Sequence, residues 1–251
     1  MRVEEKIVEY VKPLAGDLTI QNVVIGMAYT GVTLSNGNGG LAFSFRNLMG
    51  HSCGVMKKPG TICGTPVKEA LEWVLGDNLA AAAIGTACIN AILNQGYPVG
   101  PEISKTVHCT EEDVVGMVGW FCPLVKKYQN AKEFYIFEQD YQNVKSTGIE
   151  QILPDSESVK YLPKCNKVVM TGTSFINKTM DELLSACNPD AEIILVGAST
   201  PMCPEVFRDY HVTYLAGAQV TDVEGMMHVV AEGGGGRDLF RISEKLLEKV
   251  N

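Results

Sequence analysis

Residues 168–179 read V-V-M-T-G-T-S-F-I-N-K-T. Val168, Val169 and Met170 form a short apolar run, and Thr171, Gly172, Thr173 and Ser174 follow as a polar, pliable loop. Thr179 and Glu182 then stand at capping-box spacing, a hydroxyl and a carboxylate for two amides that no helical carbonyl reaches. Met180, Leu183, Leu184 and Cys187 fall at i, i+3, i+4 and i+7, one face of a helix. The stretch predicts a strand whose carboxyl end passes through hydroxyls and glycine into a helix. Amides left unpaired at that helix start face whatever lies beyond the strand tip.

The pattern recurs through the second half. Val114–Val118 predicts a strand, followed by Gly119, Trp120, Phe121, Cys122 and a helix from Pro123. Residues 134–137 predict a strand ending in Glu138, Gln139 and Asp140, and 156–162 a short helical piece. Glu192–Val196 predicts a strand that runs into Gly197-Ala198-Ser199-Thr200-Pro201. Residues 212–215 predict another, ending at Gly217, with a second capping box at Thr221 and Glu224. Beyond the glycines at 233–236, Leu239, Ile242, Leu246 and Val250 predict a terminal amphipathic helix. Short apolar strands alternating with helices predict parallel βαβ units in a Rossmann-like, doubly wound α/β sheet. Ligands of such sheets lie beyond the carboxyl ends of the strands.

The first half reads differently. M-R-V-E-E-K-I-V-E-Y-V at 1–11 predicts an amphipathic helix with Val3, Ile7, Val8 and Val11 inward, ended by Pro13. Its acids stand where a signal peptide carries bases, which predicts a cytoplasmic protein. Strands are predicted at 22–28, 30–34 and 41–45, the last two joined by an Asn- and Gly-rich turn. Asn38 in that turn is a candidate to bring backbone amides to an anion. A loop at 46–64 carries His51 and Cys53. A helix follows from Thr65, with Val67, Ala70, Leu71, Val74 and Leu75 as its stripe and Gly76 as its stop. Leu79–Leu93 predicts a buried helix. The order is that of an α+β unit, an antiparallel meander plus helices. The expected division is 1–103 and 104–251.

Composition narrows the function. The 251 residues are 46% hydrophobic and carry a net charge of -8. No basic cluster is present, which argues against nucleic acid or an anionic membrane as partner. No apolar run reaches the ~20 residues that span a bilayer. A mean hydropathy of +0.06 is compatible with a homo-oligomer. Eight cysteines without a C-x-x-C pair point to reduced thiols rather than a zinc ribbon.

Gly116 and Gly119 form G-x-x-G, not the G-x-G-x-x-G of classical dinucleotide binding. Glu138 and Asp140 lie about 20 residues on, the spacing of a ribose-hydroxyl contact. A looser nucleotide- or adenosyl-like ligand remains compatible. No P-loop is present. His51 with Cys53, and His108 with Cys109, offer imidazole and thiolate to a soft divalent metal. Ser174 and Ser199 lie on strand-to-helix loops, but without G-x-S-x-G their ordinary roles are caps and turns.

V-G-M-V-G-W-F-C-P-L-V at 115–125, the opening stretch extended to 184, I-L-V-G-A-S-T-P-M-C-P-E-V-F at 194–207 and Y-L-A-G-A-Q-V-T-D at 214–222 resemble a known family, the putative heavy-metal chelation domain. The first half resembles the domain that precedes it, similar in fold to the enolase N-terminal domain. The resemblance implies a ligand site between the two units. It implies Glu138, Thr171, Gly172, Thr173, Asn177, Thr179, Gly197, Ser199 and Asp222 as site positions. Glu138, Thr173 and Asp222 then stand as candidate catalytic groups. Gly116, Gly119, Asp140 and Asn38 join the candidates for cofactor contact. The implied function is binding or processing a small metal-chelating molecule, pterin-, flavin- or siderophore-like. If it is an enzyme, condensation, hydrolysis or group transfer is expected. Direct soft-metal binding through Cys and His, and an adenosyl-dependent methyltransferase-like activity, are the alternatives.

Overall fold

The computed structural model describes residues 1–48, 54–144 and 152–250. Helices α1 (Val3–Val11), α2 (Val67–Glu72) and α3 (Leu79–Leu93) accompany strands β1 (Ile20–Ile25), β2 (Tyr29–Leu34) and β3 (Gly39–Phe43) in the first half. The second half alternates: α4 (Ile103–Thr106), β4 (Val114–Val118), α5 (Cys122–Tyr128), β5 (Glu133–Glu138), α6 (Tyr141–Val144), β6 (Ile152–Pro154), α7 (Ser158–Tyr161), β7 (Lys167–Thr171), α8 (Met180–Ala186), β8 (Glu192–Val196), α9 (Pro204–Phe207), β9 (Val212–Val220), α10 (Val223–Ala231) and β10 (Ser243–Lys249).

The first-half strands form an antiparallel sheet in the order β1-β2-β3. It is covered on both faces, so β2 does not alternate polar with apolar. On one face α3 lies so close that a Cβ on Gly40 would stand 2.0 Å from the Ala87 carbonyl oxygen. The other face receives α10 from the second half, with Met226, Met227 and Val230 side chains against Gly31. One hydrophobic cluster runs continuously from Val3 and Ile7 through α3 to Leu195 and Leu215.

The larger sheet has the order β10-β9-β8-β7-β4-β5-β6 among the described residues. The strands from β6 to β9 are parallel to their neighbours, and β10 is antiparallel to β9. The chain runs outward from β4 through β5 to β6. It then returns to β7 on the other side of β4. Counted from β4 this is the classical doubly wound order, whose switch point lies between the tips of β4 and β7. The central strands V-V-G-M-V and E-I-I-L-V are apolar because both their faces are covered.

Three expectations need correction. The terminal helix is absent: residues Asp238–Arg241 make a single 3₁₀ turn, and β10 pairs along β9 from Ser243↔Val220 to Lys249↔Tyr214. Leu239, Ile242 and Leu246 fit a helical period, but the open edge of β9 offers a full ladder, and Leu246 is buried against it. β9 itself extends to Val220, because A-G-A-Q-V continues the pairing. The capping boxes also differ. Asp222, not Thr221, caps α10, its carboxylate accepting from the Gly225 amide at 2.9 Å. Thr179 has helical dihedrals and makes no cap; its hydroxyl donates to Asn177 Oδ1 at 2.8 Å.

Helix α1 buries Val3, Ile7, Val8 and Val11 as its period requires, and it also buries Glu4 completely. The Val3 amide donates to Asp181 on α8, which fixes the helix start. Neither Glu4 carboxylate oxygen has a hydrogen-bond partner among the described residues. Burial raises the pKa of this carboxyl above its ordinary value. The folded state therefore binds the proton more tightly than the unfolded chain, so stability is greatest below the ordinary glutamate pKa and falls as pH rises through the raised one. Glu4→Gln is expected to be more stable than wild type at neutral pH and to converge with it near about pH 4. Urea unfolding across that range checks it; a constant difference at all pH values would contradict it.

Candidate functional site

A cleft of about 960 Å³ opens at the carboxyl ends of β4, β5, β7 and β8, facing the β1–β2 turn and the end of β3. Two glycines shape its floor. Gly119 has φ +90 and donates its amide to the Phe137 carbonyl, which turns the chain sharply off β4. Gly197 has φ +121 and does the same off β8.

Aromatic rings form the first-half wall. Tyr29 and Phe43 meet edge to face at 5.9 Å, and Phe43 and Phe45 at 5.2 Å. Burial raises the pKa of the Tyr29 hydroxyl, which keeps it protonated at neutral pH. Trp120, Phe121 and Phe137 line the opposite side. Among the described residues, carboxylates reach the cleft from Glu138, Asp140, Asp155 and Glu182, and the Arg46 guanidinium reaches it as a cation.

At the β5 tip one Glu138 oxygen accepts from the Gln139 and Asp140 amides at 2.9 and 3.3 Å. That arrangement fixes the carboxylate and leaves its other oxygen without a hydrogen bond among the described residues. At the β7 tip the Thr171 and Thr173 hydroxyls share a hydrogen bond of 3.0 Å.

The two halves are tied together beneath the cleft. Ser199 Oγ accepts from the Phe43 amide at 2.8 Å, across the cleft wall. Asn90 on α3 donates to the carbonyls of Leu41 and Ala198. Asn94, one turn later, donates to the carbonyls of Thr200 and Ala218 at 3.1 Å each and accepts from the Met202 amide at 2.9 Å. Two buried amides thus hold the loop after β8 against the first-half sheet.

Glu138, Asp140, Gly119, Thr171, Thr173, Asn177, Thr179, Gly197 and Ser199 all line the cleft. Other candidates lie elsewhere. Gly116 is inside β4, where a Cβ would stand 3.0 Å from Leu162 and Cys165. Gly172 lies where the loops after β7 and β8 touch, its Cβ position 2.6 Å from the Thr200 amide nitrogen. Asn38 is committed to its turn and to α3, donating its side-chain amide to the Ala91 carbonyl. Asp222 caps α10.

His51 and Cys53 lie outside the described residues. His108 and Cys109 precede β4, at the opposite end of the sheet from the cleft. Among the described residues no three His, Cys, Asp or Glu side chains gather as a metal site. The sequence reading missed the aromatic wall, Glu182, Ser158 and the Asn90–Asn94 tie. Two amides at i and i+4, one inside an apolar helix and one at its C-cap, were the signal for the tie.

Comparison with known proteins places these features in a family. The profile of proteins described as "Putative heavy-metal chelation" matches residues 102–249, and a second profile of the same description matches 8–93. An uncharacterized protein of Methanocaldococcus jannaschii is 24% identical over 165 residues. That match covers 63% of this chain and 62% of the relative's length. A crystal structure of a Pyrococcus horikoshii protein of unknown function superposes with TM-score 0.83 at 20% identity, covering 98% of this chain and 99% of the other. A second, from Desulfitobacterium hafniense DCB-2 and also of unknown function, gives 0.78 at 24% identity with 98% of each chain covered. Both share the fold. No helix among the described residues is long and apolar enough to cross a membrane. By the match over 102–249, the chain belongs to the family of proteins described as "Putative heavy-metal chelation".

Proposed function

We propose that the cleft binds a planar, unphosphorylated small molecule of the metal-chelating kind, pterin- or flavin-like. The ligand lies between an enolase N-terminal-like unit, residues 1–103, and a Rossmann-like unit, residues 104–251. The observation that carries this reading is the Tyr29–Phe43–Phe45 aromatic wall facing the hydroxyl-bearing strand tips across one cleft. Rings stack on planar heterocycles, while strand-tip polar groups fix their orientation. Glu138, with one oxygen tied to backbone amides and the other uncommitted, is placed to accept from a ligand N–H or hydroxyl. Thr173, Thr171, Asn177, Asp140, Gly119, Gly197 and Ser199 are proposed as the surrounding contacts. Among the described residues the Glu138, Asp155 and Glu182 carboxylates outnumber the Arg46 guanidinium, which disfavours a phosphate.

A second reading has one observation of its own. Glu138 ends β5, the neighbour of β4 at the switch point, where an acid holds ribose hydroxyls in nucleotide-binding sheets. An adenosyl ligand, and with it group transfer, fits that position.

Calorimetric titration with a pterin, riboflavin, riboflavin phosphate and an adenosyl sulfonium cofactor tests both. Saturable binding of an unphosphorylated ring compound is expected, with the phosphate ester at least about tenfold weaker. Binding of the adenosyl compound alone would favour the second reading. Absence of binding across the whole panel would sink both.

A further inference from the structure

The hydroxyls around the cleft fall into two sets. Thr171 with Thr173, Thr30 with Ser44, and Thr179 with Asn177 satisfy one another. Ser158, Ser174 and Ser199 do not. Ser158 opens α7 beyond β6, Ser174 lies in the turn after β7, and Ser199 follows β8. All three line the cleft, at 3%, 2% and 2% exposure. The Ser158 and Ser174 side chains have no hydrogen-bond partner among the described residues. Ser199 Oγ accepts from the Phe43 amide, and its own proton is uncommitted.

Ser158 and Ser174 are nearly enclosed, but their hydroxyl oxygens keep access to the cleft, so each is open to an occupant in place of water. Two hydroxyls without a partner among the described residues, and a third with an uncommitted proton, thus stand at three different strand tips and offer donors to one occupant. None is a helix cap: Glu157 holds the position before α7 without a side-chain cap, and Thr171 caps the turn holding Ser174.

We infer that Ser158, Ser174 and Ser199 form a donor floor that reads the acceptor edge of the bound molecule. That molecule is a planar heterocycle with ring nitrogens or carbonyl oxygens along one edge. Its donor groups then meet Glu138. The inference rests on the cleft being a small-molecule site, and it specifies which edge of the ligand is recognised and by which residues.

The test uses Ser158→Ala, Ser174→Ala and Ser199→Ala in the full chain. Riboflavin and a pterin serve as probes, and quenching of Trp120, which lines the cleft, reports binding. Each of the first two variants is expected to weaken probe binding about fivefold to tenfold while urea stability holds. Ser199→Ala is expected to weaken binding similarly but also to lose stability with its Phe43 bond. Wild type that binds while Ser158→Ala and Ser174→Ala bind equally well would falsify the donor floor and leave the proposed function standing. Weaker binding accompanied by a matching loss of stability in those two would reduce them to structural residues and overturn the inference. Wild type that binds neither probe removes the pterin- or flavin-like reading and the floor with it.

Discussion

Asn94→Leu is expected to destabilise the protein by about 3–5 kcal/mol, although leucine has nearly the same size. Asn94 is 1% exposed and makes three hydrogen bonds with backbone groups of the loop after β8 and of β9. Leucine removes all three at once. The Met202 amide and the Thr200 carbonyl stay buried and the Ala218 carbonyl part-buried, so their desolvation is no longer offset. The loss is large beside the ~5–15 kcal/mol that holds a typical domain together. Asn90→Leu, which loses two bonds, is expected to fall short of it. Urea midpoints of both variants check the order. A loss below about 1 kcal/mol for Asn94→Leu would mean that water replaces the amide, and that the loop carrying Ser199 is not held from α3.

That tie shows what the sequence could and could not disclose. Helix α3 and strand β8 have the bounds expected of them, because each is a largely apolar segment whose ends coincide with a polar residue or a turn. The strand-tip cleft was legible for the same reason: alternating strands and helices force the tips of β4, β5, β7 and β8 to one side. Asn94 was not legible, because its partner Ala218 lies 124 positions away. An amide at the C-cap of an apolar helix looks like an ordinary helix end until the fold brings carbonyls to it. β10 failed differently. S-E-K-L-L-E-K has too few apolar residues for either period to dominate, and only the open edge of β9 decides between them. Ser174 and Ser199 read locally as turn formers, since a cap and a ligand donor have the same local sequence, and Ser199 became a candidate only through the family resemblance. The aromatic wall was hidden because Tyr29 and Phe43 belong to two strands whose register brings them opposite each other, with Phe45 just past the end of β3.

Gly40→Ala tests whether that register carries the cleft. The added methyl would stand 2.0 Å from the Ala87 carbonyl oxygen and 2.6 Å from the Ala91 amide nitrogen. Both are backbone atoms of α3, so no side chain can swing aside. Strand β3 and helix α3 must separate, and the expected cost is about 4 kcal/mol or more, at the severe end for overpacking. Gly37→Ala, three residues earlier, is the control. It meets no atom within 4 Å and suffers only from φ +87, about 1–2 kcal/mol. The separation has a further consequence. The Asn90 bond to Leu41 and the Phe43 bond to Ser199 both leave β3 beyond Gly40. Moving the strand stretches both and shifts the rings of Phe43 and Phe45 away from the strand tips. Whatever fraction of Gly40→Ala remains folded is therefore expected to bind the pterin or riboflavin probe more weakly than Gly37→Ala does. Unfolding midpoints and probe titration together separate the cases: equal midpoints for the two variants would show that α3 yields to the methyl, and the cleft would then not depend on this contact.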